Sequence, residues 1–235
     1  MKKRMTQPQD MTCGTPWKLI LLFAVPLIFG NIFQELYTIV DTMVVGKKLG
    51  VNALAAVGAT GWVFMFNSML IQGFTQGFGI QIAKMVGEND TVKLKRAISN
   101  SIILSALLSI VLLLGMQLII NPAMHILRIP LNIRDISVTY LRVIFVGIPF
   151  SVAYNIFAVI LRSLGNSKTP LNAMVISTSS NIVLDILFVV GFQWGVIGAA
   201  VATIISQLLS AVYCFVILNK CDIFKANYIE FRLDI

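Results

Sequence analysis

The chain has 235 residues, of which 57% are hydrophobic and 12% charged, and its net charge is +8. A soluble domain carries about 25% charged residues because its surface must face water, so half that share excludes an ordinary soluble domain and points to a surface facing lipid. No RNA- or DNA-binding motif accompanies the positive charge, which therefore reads as membrane topology and contact with anionic lipid, not nucleic-acid binding.

Residues 1–18 begin MKKR and read as a cytoplasmic N-terminal segment. The apolar stretch behind them is too long for a cleavable signal peptide, and no small-residue cleavage site follows, so it is expected to remain as a first span. Six apolar stretches reach the length of about 20 helical residues that crosses the hydrocarbon core. They are residues 19–45, 53–83, 98–120, 136–161, 171–191 and 196–218. The expectation is an all-α membrane protein with one six-helix lobe over residues 19–218.

The first span carries Gln34, Tyr37, Thr38 and Asp41, at spacings that share one helical face. Glu35 lies off that face by about 120° and is expected at the edge of any site built there. Pro26 and Gly30 weaken backbone bonding within the same span. After the break GKKLGVN, the second span sets Gly73, Gly77 and Gly79 beside Gln72, Gln76 and Gln81. The glycines favour close helix packing, and the glutamines either pack or line a substrate path. GENDTVKLKR leads to the third span and NPAMHILRIPLNIRD to the fourth, with the lone His125 reading as a surface histidine. Gly147 and Pro149 interrupt the fourth span. RSLGNSKTP precedes the fifth, whose Ser177, Thr178, Asn181 and Asp185 repeat the polar stripe. FQWG precedes the sixth, with Thr203, Ser206, Gln207 and Ser210. Residues 219–235 read as a cytoplasmic tail.

Basic residues fix the expected orientation. With the N-terminus inside, 13 of the 18 Lys and Arg residues fall on the inner side and 5 on the outer side. Positive charge stays in the cytoplasm, so both termini are expected there. Cys13, Cys214 and Cys221 lack C-x-x-C spacing and imply neither a disulfide framework nor a metal site.

Three carboxylates fall inside the spans: Glu35, Asp41 and Asp185. A charge at membrane depth costs about 2.5 kcal/mol or more, so it should face a bundle interior or an aqueous cavity. Asp41 lies roughly 9 Å from the outer end of its helix, Asp185 roughly 10 Å and Thr203 roughly 12 Å, counted at the helical rise per residue. The three stripes can therefore meet in one polar chamber if spans 1, 5 and 6 pack together. Two close carboxylates in low dielectric cannot easily both ionise, and one tends to hold a proton or share a cation.

FAVPLIFGNIFQELYTIVDTMVVGKKLG followed by NALAAVGATG, then YLRVIFVGIPF, LRSLGNSKTPL, NIVLDILFV and GAAVATIISQ, together resemble the multidrug and toxic compound extrusion (MATE) transporters. These stretches occur in the family's order and extend over most of residues 15–218. The resemblance implies the N-terminal six-helix lobe of a twelve-helix antiporter, with a cation or proton site on Asp41, Asn181, Asp185 and Thr203. It also implies a wider cavity carrying Gln34, Tyr37, Tyr140 and Asn155, with Glu35 at its edge. Family members export organic cations, drugs and metabolites in exchange for H+ or Na+. The expectation is therefore a plasma-membrane antiporter with a cationic small-molecule substrate, no cofactor beyond the coupling ion, and no enzymatic activity. The chain departs from the family where Glu35 replaces a usual Gln and Thr38 a usual Asn.

Family members have two lobes, and KANYIEFRLDI resembles the start of the linker between them. The expected partners are membrane lipid and a second six-helix lobe or a second copy of the chain, and an inactive truncated lobe is the counter-reading. A lipid-linked oligosaccharide flippase of related fold is another, which basic residues in the cavity would favour. An intramembrane aspartyl protease would need Y-D and G-x-G-D, whereas Asp41 follows Val40 and Asp185 follows Leu184. The P-loop signature of ATP-driven export does not occur in the sequence.

Overall fold

A computed structural model of the chain describes residues 15–221, and every regular element among them is helical. The terminal assignments beyond those limits lie outside the described residues. The helices are α1 (Pro16–Leu49), α2 (Val51–Gly87), α3 (Thr91–Ile126), α4 (Leu131–Val146), α5 (Ile148–Ser163), α6 (Lys168–Asp185) and α7 (Gly195–Leu218). A π-helical segment, Ile186–Gly191, continues α6. Five spans follow from α1, α2, α3, α6 with its continuation, and α7; α4 and α5 form the sixth, bent by 47°. Each apolar stretch of the sequence thus becomes one span.

The connections are short. Gly50 alone separates α1 from α2, at φ 83°, where only glycine sits without strain. Lys47 and Lys48 occupy the last turn of α1 and complement its dipole. Asp90 caps α3 by accepting from the Val92 and Lys93 amides at 3.1 and 3.0 Å. The Lys93 amide, more than any other contact, holds the Asp90 carboxyl below the usual carboxylate range.

Of the two expected helix breaks, one occurs. Pro149 enters α5 in its first turn, where its missing N–H costs nothing, and the span bends at Gly147. A Cβ on Gly147 would stand 2.6 Å from Ile204 Cγ1, so the bend packs against α7 only because glycine is there. Pro26, by contrast, lies inside an unbroken α1. Gly30 serves there as a contact surface: a Cβ on it would come within 2.8 Å of Met174 Sδ on α6.

Two large apolar clusters and one smaller one hold the bundle. The one at the α3–α4 turn packs Met116, Ile120 and Met124 of α3 against Leu141, Ile144 and Phe145 of α4, with Val63 and Ile71 of α2. The one at the opposite end packs Ile82 and Met85 against Ile98, Ile156, Ile160 and Leu218. Between helices, Ser163 Oγ donates to the Gly79 carbonyl at 3.0 Å and Gln117 Nε2 to the Arg142 carbonyl at 2.9 Å. The outer surface is apolar, with Leu118 and Val111 exposed at 78% and 65%. That is the inverse of a water-soluble fold and fits a lipid solvent.

Candidate ion site and polar cavity

Asp41 comes from α1, Asn181 and Asp185 from successive turns of α6, and Thr203 from α7. The convergence follows from what packs one turn further along each helix. Val45, Val189 and Ala199 meet in a single buried cluster, and they sit four residues from Asp41, Asp185 and Thr203 respectively. That cluster closes one side of the group. Asp41 is 6% exposed, Thr203 3%, and Asn181 and Asp185 fully buried.

The Asp41 and Asp185 carboxyl groups are electrostatic neighbours, each acting on the other. When both are ionised, neither has a donor to give. Asp41 Oδ1, both Asp185 oxygens and both amide atoms of Asn181 are buried and make no hydrogen bond. Unmatched polar atoms at this density are costly, about 1–3 kcal/mol each, and ask for a bound partner. No cluster of three His, Cys, Asp or Glu side chains occurs among the described residues. The group is instead a set of hard oxygens, the donor chemistry of H+, Na+ and similar cations. The π-helical segment begins at the residue after Asp185, and such segments recur beside functional sites.

Next to this group opens a cavity of about 1170 Å³, to which Thr203 also contributes. Polar side chains line it from five helices: Gln34 and Thr38 of α1; Ser68, Gln72 and Gln76 of α2; Ser151, Asn155 and Arg162 of α5; Ser177 and Thr178 of α6; Ser206, Gln207 and Ser210 of α7. Ser151 Oγ donates to Gln207 Oε1, joining α5 to α7, and Asn155 Nδ2 donates to the Ser151 carbonyl at 2.9 Å. The cavity extends to Gly87, Asn89 and Gly165 at the α2–α3 and α5–α6 turns.

The three stripes are divided between a sealed carboxylate and amide group and an open cavity. Among the remaining expected residues, Gln34 and Asn155 line the cavity and Glu35 does not; Glu35 is exposed. Tyr140 corrects the expectation of a cavity residue. It is 7% exposed and packs in the apolar cluster of α2, α3 and α4, where the ring fills core volume. The Tyr37 side chain lies outside the described residues. Of the glutamines in α2, Gln72 and Gln76 face the cavity, while Gln81 lines a separate shallow pocket with Lys93 and Arg96. His125 is exposed, with Nε2 2.7 Å from Arg134 Nη2. Sequence reasoning missed Ser151 and Arg162. Their helical spacing with Asn155 and Val159 was the available signal.

The MatE family profile matches residues 26–187. The Probable multidrug resistance protein YoeA of Bacillus subtilis is 30% identical over 208 residues, covering 87% of this chain and 45% of the relative. A solved MATE in the bent conformation is similar with a TM-score of 0.83 at 30% identity, over 94% of this chain and 49% of that one. A MOP superfamily transporter from Pyrococcus furiosus, described as having a reverse polarity of its binding pocket, is similar with a TM-score of 0.83 at 29% identity. The match covers 97% of this chain and 50% of that one. The chain spans about half the length of the curated relatives it matches. Its bundle accordingly equals one lobe of the solved transporters, and the chain belongs to the MatE family of multidrug and toxic compound extrusion transporters.

Proposed function

We propose that the chain forms one lobe of a secondary antiporter in the plasma membrane, which exports small organic molecules in exchange for H+ or Na+. The observation that carries this reading is the sealed group of unpaired oxygens on Asp41, Asn181 and Asp185 beside a large polar cavity. Facing carboxylates in low dielectric repel when both are charged, and a proton or Na+ between them removes the repulsion. A cation bound there would draw α1, α6 and α7 together. Its release would loosen the cavity wall that the same helices build. That linkage is what an exchanger needs if ion and substrate are to alternate. Multi-pass insertion with both termini in the cytoplasm is supported by the distribution of basic residues. The second wall of the path comes from another six-helix unit, in the same polypeptide or another.

Inverted membrane vesicles from cells expressing the chain together with a second six-helix lobe, energised with a Na+ or a proton gradient, supply the test. Asp41→Asn and Asp185→Asn are each expected to abolish gradient-driven exchange while leaving membrane insertion intact. Undiminished exchange by both variants would show that coupling lies elsewhere.

A further inference from the structure

The charge of the cavity wall runs opposite to what an organic cation needs. None of the six acidic side chains among the described residues lines the cavity. Asp41 and Asp185 sit behind it at 6% and 0% exposure, within reach of a proton or a metal cation but not of an organic molecule. Glu88 and Asp90 are paired with Lys84 and Lys93 at 3.9 and 3.2 Å. Glu35 and Asp135 lie off the lining. Among the described residues that do line it, the one charged side chain is Arg162.

Arg162 stands half-buried in the last turn of α5, on the line Ser151, Asn155, Val159 that descends the cavity wall. Its guanidinium makes no hydrogen bond or ion pair among the described residues, whereas its backbone carbonyl accepts from the Gly165 amide at 2.9 Å. Its electrostatic neighbours are Tyr154 and Cys214, a phenol and a thiol that carry no formal charge at neutral pH. The guanidinium always carries its charge and presents five donors in a fixed fork. Such a charge, with no side-chain partner in the polar wall of an open cavity, is matched by an oxyanion. The rest of the lining mixes amide and hydroxyl groups with aliphatic side chains such as Ile71, Val159 and Met174, and Phe64 and Tyr154 are its aromatic members, so it offers little of the ring-face surface that holds organic cations.

We infer that the cavity takes a small organic anion. Its carboxylate, sulfonate or phosphate pairs with Arg162 in the two-pronged geometry of guanidinium and oxyanion, and the amides of Gln72, Gln76 and Asn155 bind a hydrogen-bonding body. This rests on the reading of the cavity as a transport path, and it names an anion where the family resemblance implies a cation.

Two probes share a p-aminobenzamide body and differ in charge: p-aminohippurate carries a carboxylate and procainamide a tertiary ammonium. Calorimetric titration of the purified protein in phosphatidylcholine nanodiscs is expected to show p-aminohippurate binding at least tenfold tighter. Arg162→Gln should remove that preference and Arg162→Lys should keep part of it. Asn155→Asp, which adds a carboxylate about 10 Å along the same helix face, should reverse it without touching Arg162. Equal binding of both probes, unchanged by Arg162→Gln, overturns the anion and leaves the transport cavity standing. Binding of neither probe sinks both readings. Loss of p-aminohippurate binding when phosphatidylglycerol is added would assign Arg162 to a lipid headgroup and overturn the soluble anion. An Arg162→Gln effect on self-association alone would assign it to an ion pair between subunits, with the same result.

Discussion

Asn181 shows most clearly what a single residue contributes here. Its amide is fully buried with neither the oxygen nor the nitrogen paired, an arrangement that costs about 1–3 kcal/mol and that a packed leucine would avoid. On the proposed function, the residue trades stability for binding. Asn181→Leu is expected to raise the cation-free unfolding temperature by a few degrees. It should also erase the stabilisation that saturating Na+ supplies, about 2.7 kcal/mol at a hundredfold excess over Kd. Thermal unfolding in detergent with and without Na+ checks both signs, and a variant less stable than the parent without Na+ contradicts the trade. At this scale the sequence was informative where polarity was expensive. Asp41, Asn181 and Asp185 have no reason to sit at membrane depth unless they share a site, and their spacing gave the faces. Tyr140 misled because a tyrosine is amphipathic, and its ring fits a core as readily as a cavity wall. Arg162 was counted as an inner-side charge because it falls at a helix end. Only the packing of α5 against α2 and α7 turns it to the cavity.

Among the elements, the bent fourth span does the most to place the site, because α5 brings Ser151, Asn155 and Arg162 to the cavity while α4 stays in the core. Glycine and proline in FVGIPF announced an interruption. They could not give its direction, which depends on Ile204 of α7 filling the space a side chain at Gly147 would take. Pro26 shows the converse: α1 runs through it unbroken, and the nearby glycine matters for its contact with Met174. The π-helical segment after Asp185 has no periodic signature in so short a run, and nothing in ILFVVG marks it. Gly147→Ala is expected to destabilise the bundle by about 1–3 kcal/mol, the cost of overpacking a tight contact. Ile204→Ala in the same chain should recover part of the loss by removing the atom that the new methyl group meets. Unfolding followed by thiol labelling of the buried Cys214 measures this, and additive losses in the double variant would show that the two sites do not share the contact.

On the scale of the whole molecule, the count of spans was legible because lipid demands long apolar helices and leaves little room for other solutions. The surface that meets a second wall was not, since lipid-facing and partner-facing helix surfaces are both apolar. Polarity distinguishes such surfaces: Gln34 and Thr38 line the cavity and are exposed on α1. Exposed amide and hydroxyl groups at membrane depth belong against a polar partner or water, not hydrocarbon. An exchanger also needs two surfaces that rock about the substrate, so that the path closes on one side before opening on the other. These 235 residues supply one such surface. On the proposed reading, their ion group binds and releases its cation while a second six-helix unit closes the cavity mouth. The residues by themselves, as a verified monomer in liposomes, are therefore expected to bind Na+ or H+ without moving substrate. Gradient-driven flux should appear when a second lobe is co-reconstituted or when two copies are cross-linked. Flux from the monomer would mean that one lobe closes its own path, and the two-surface account would fail.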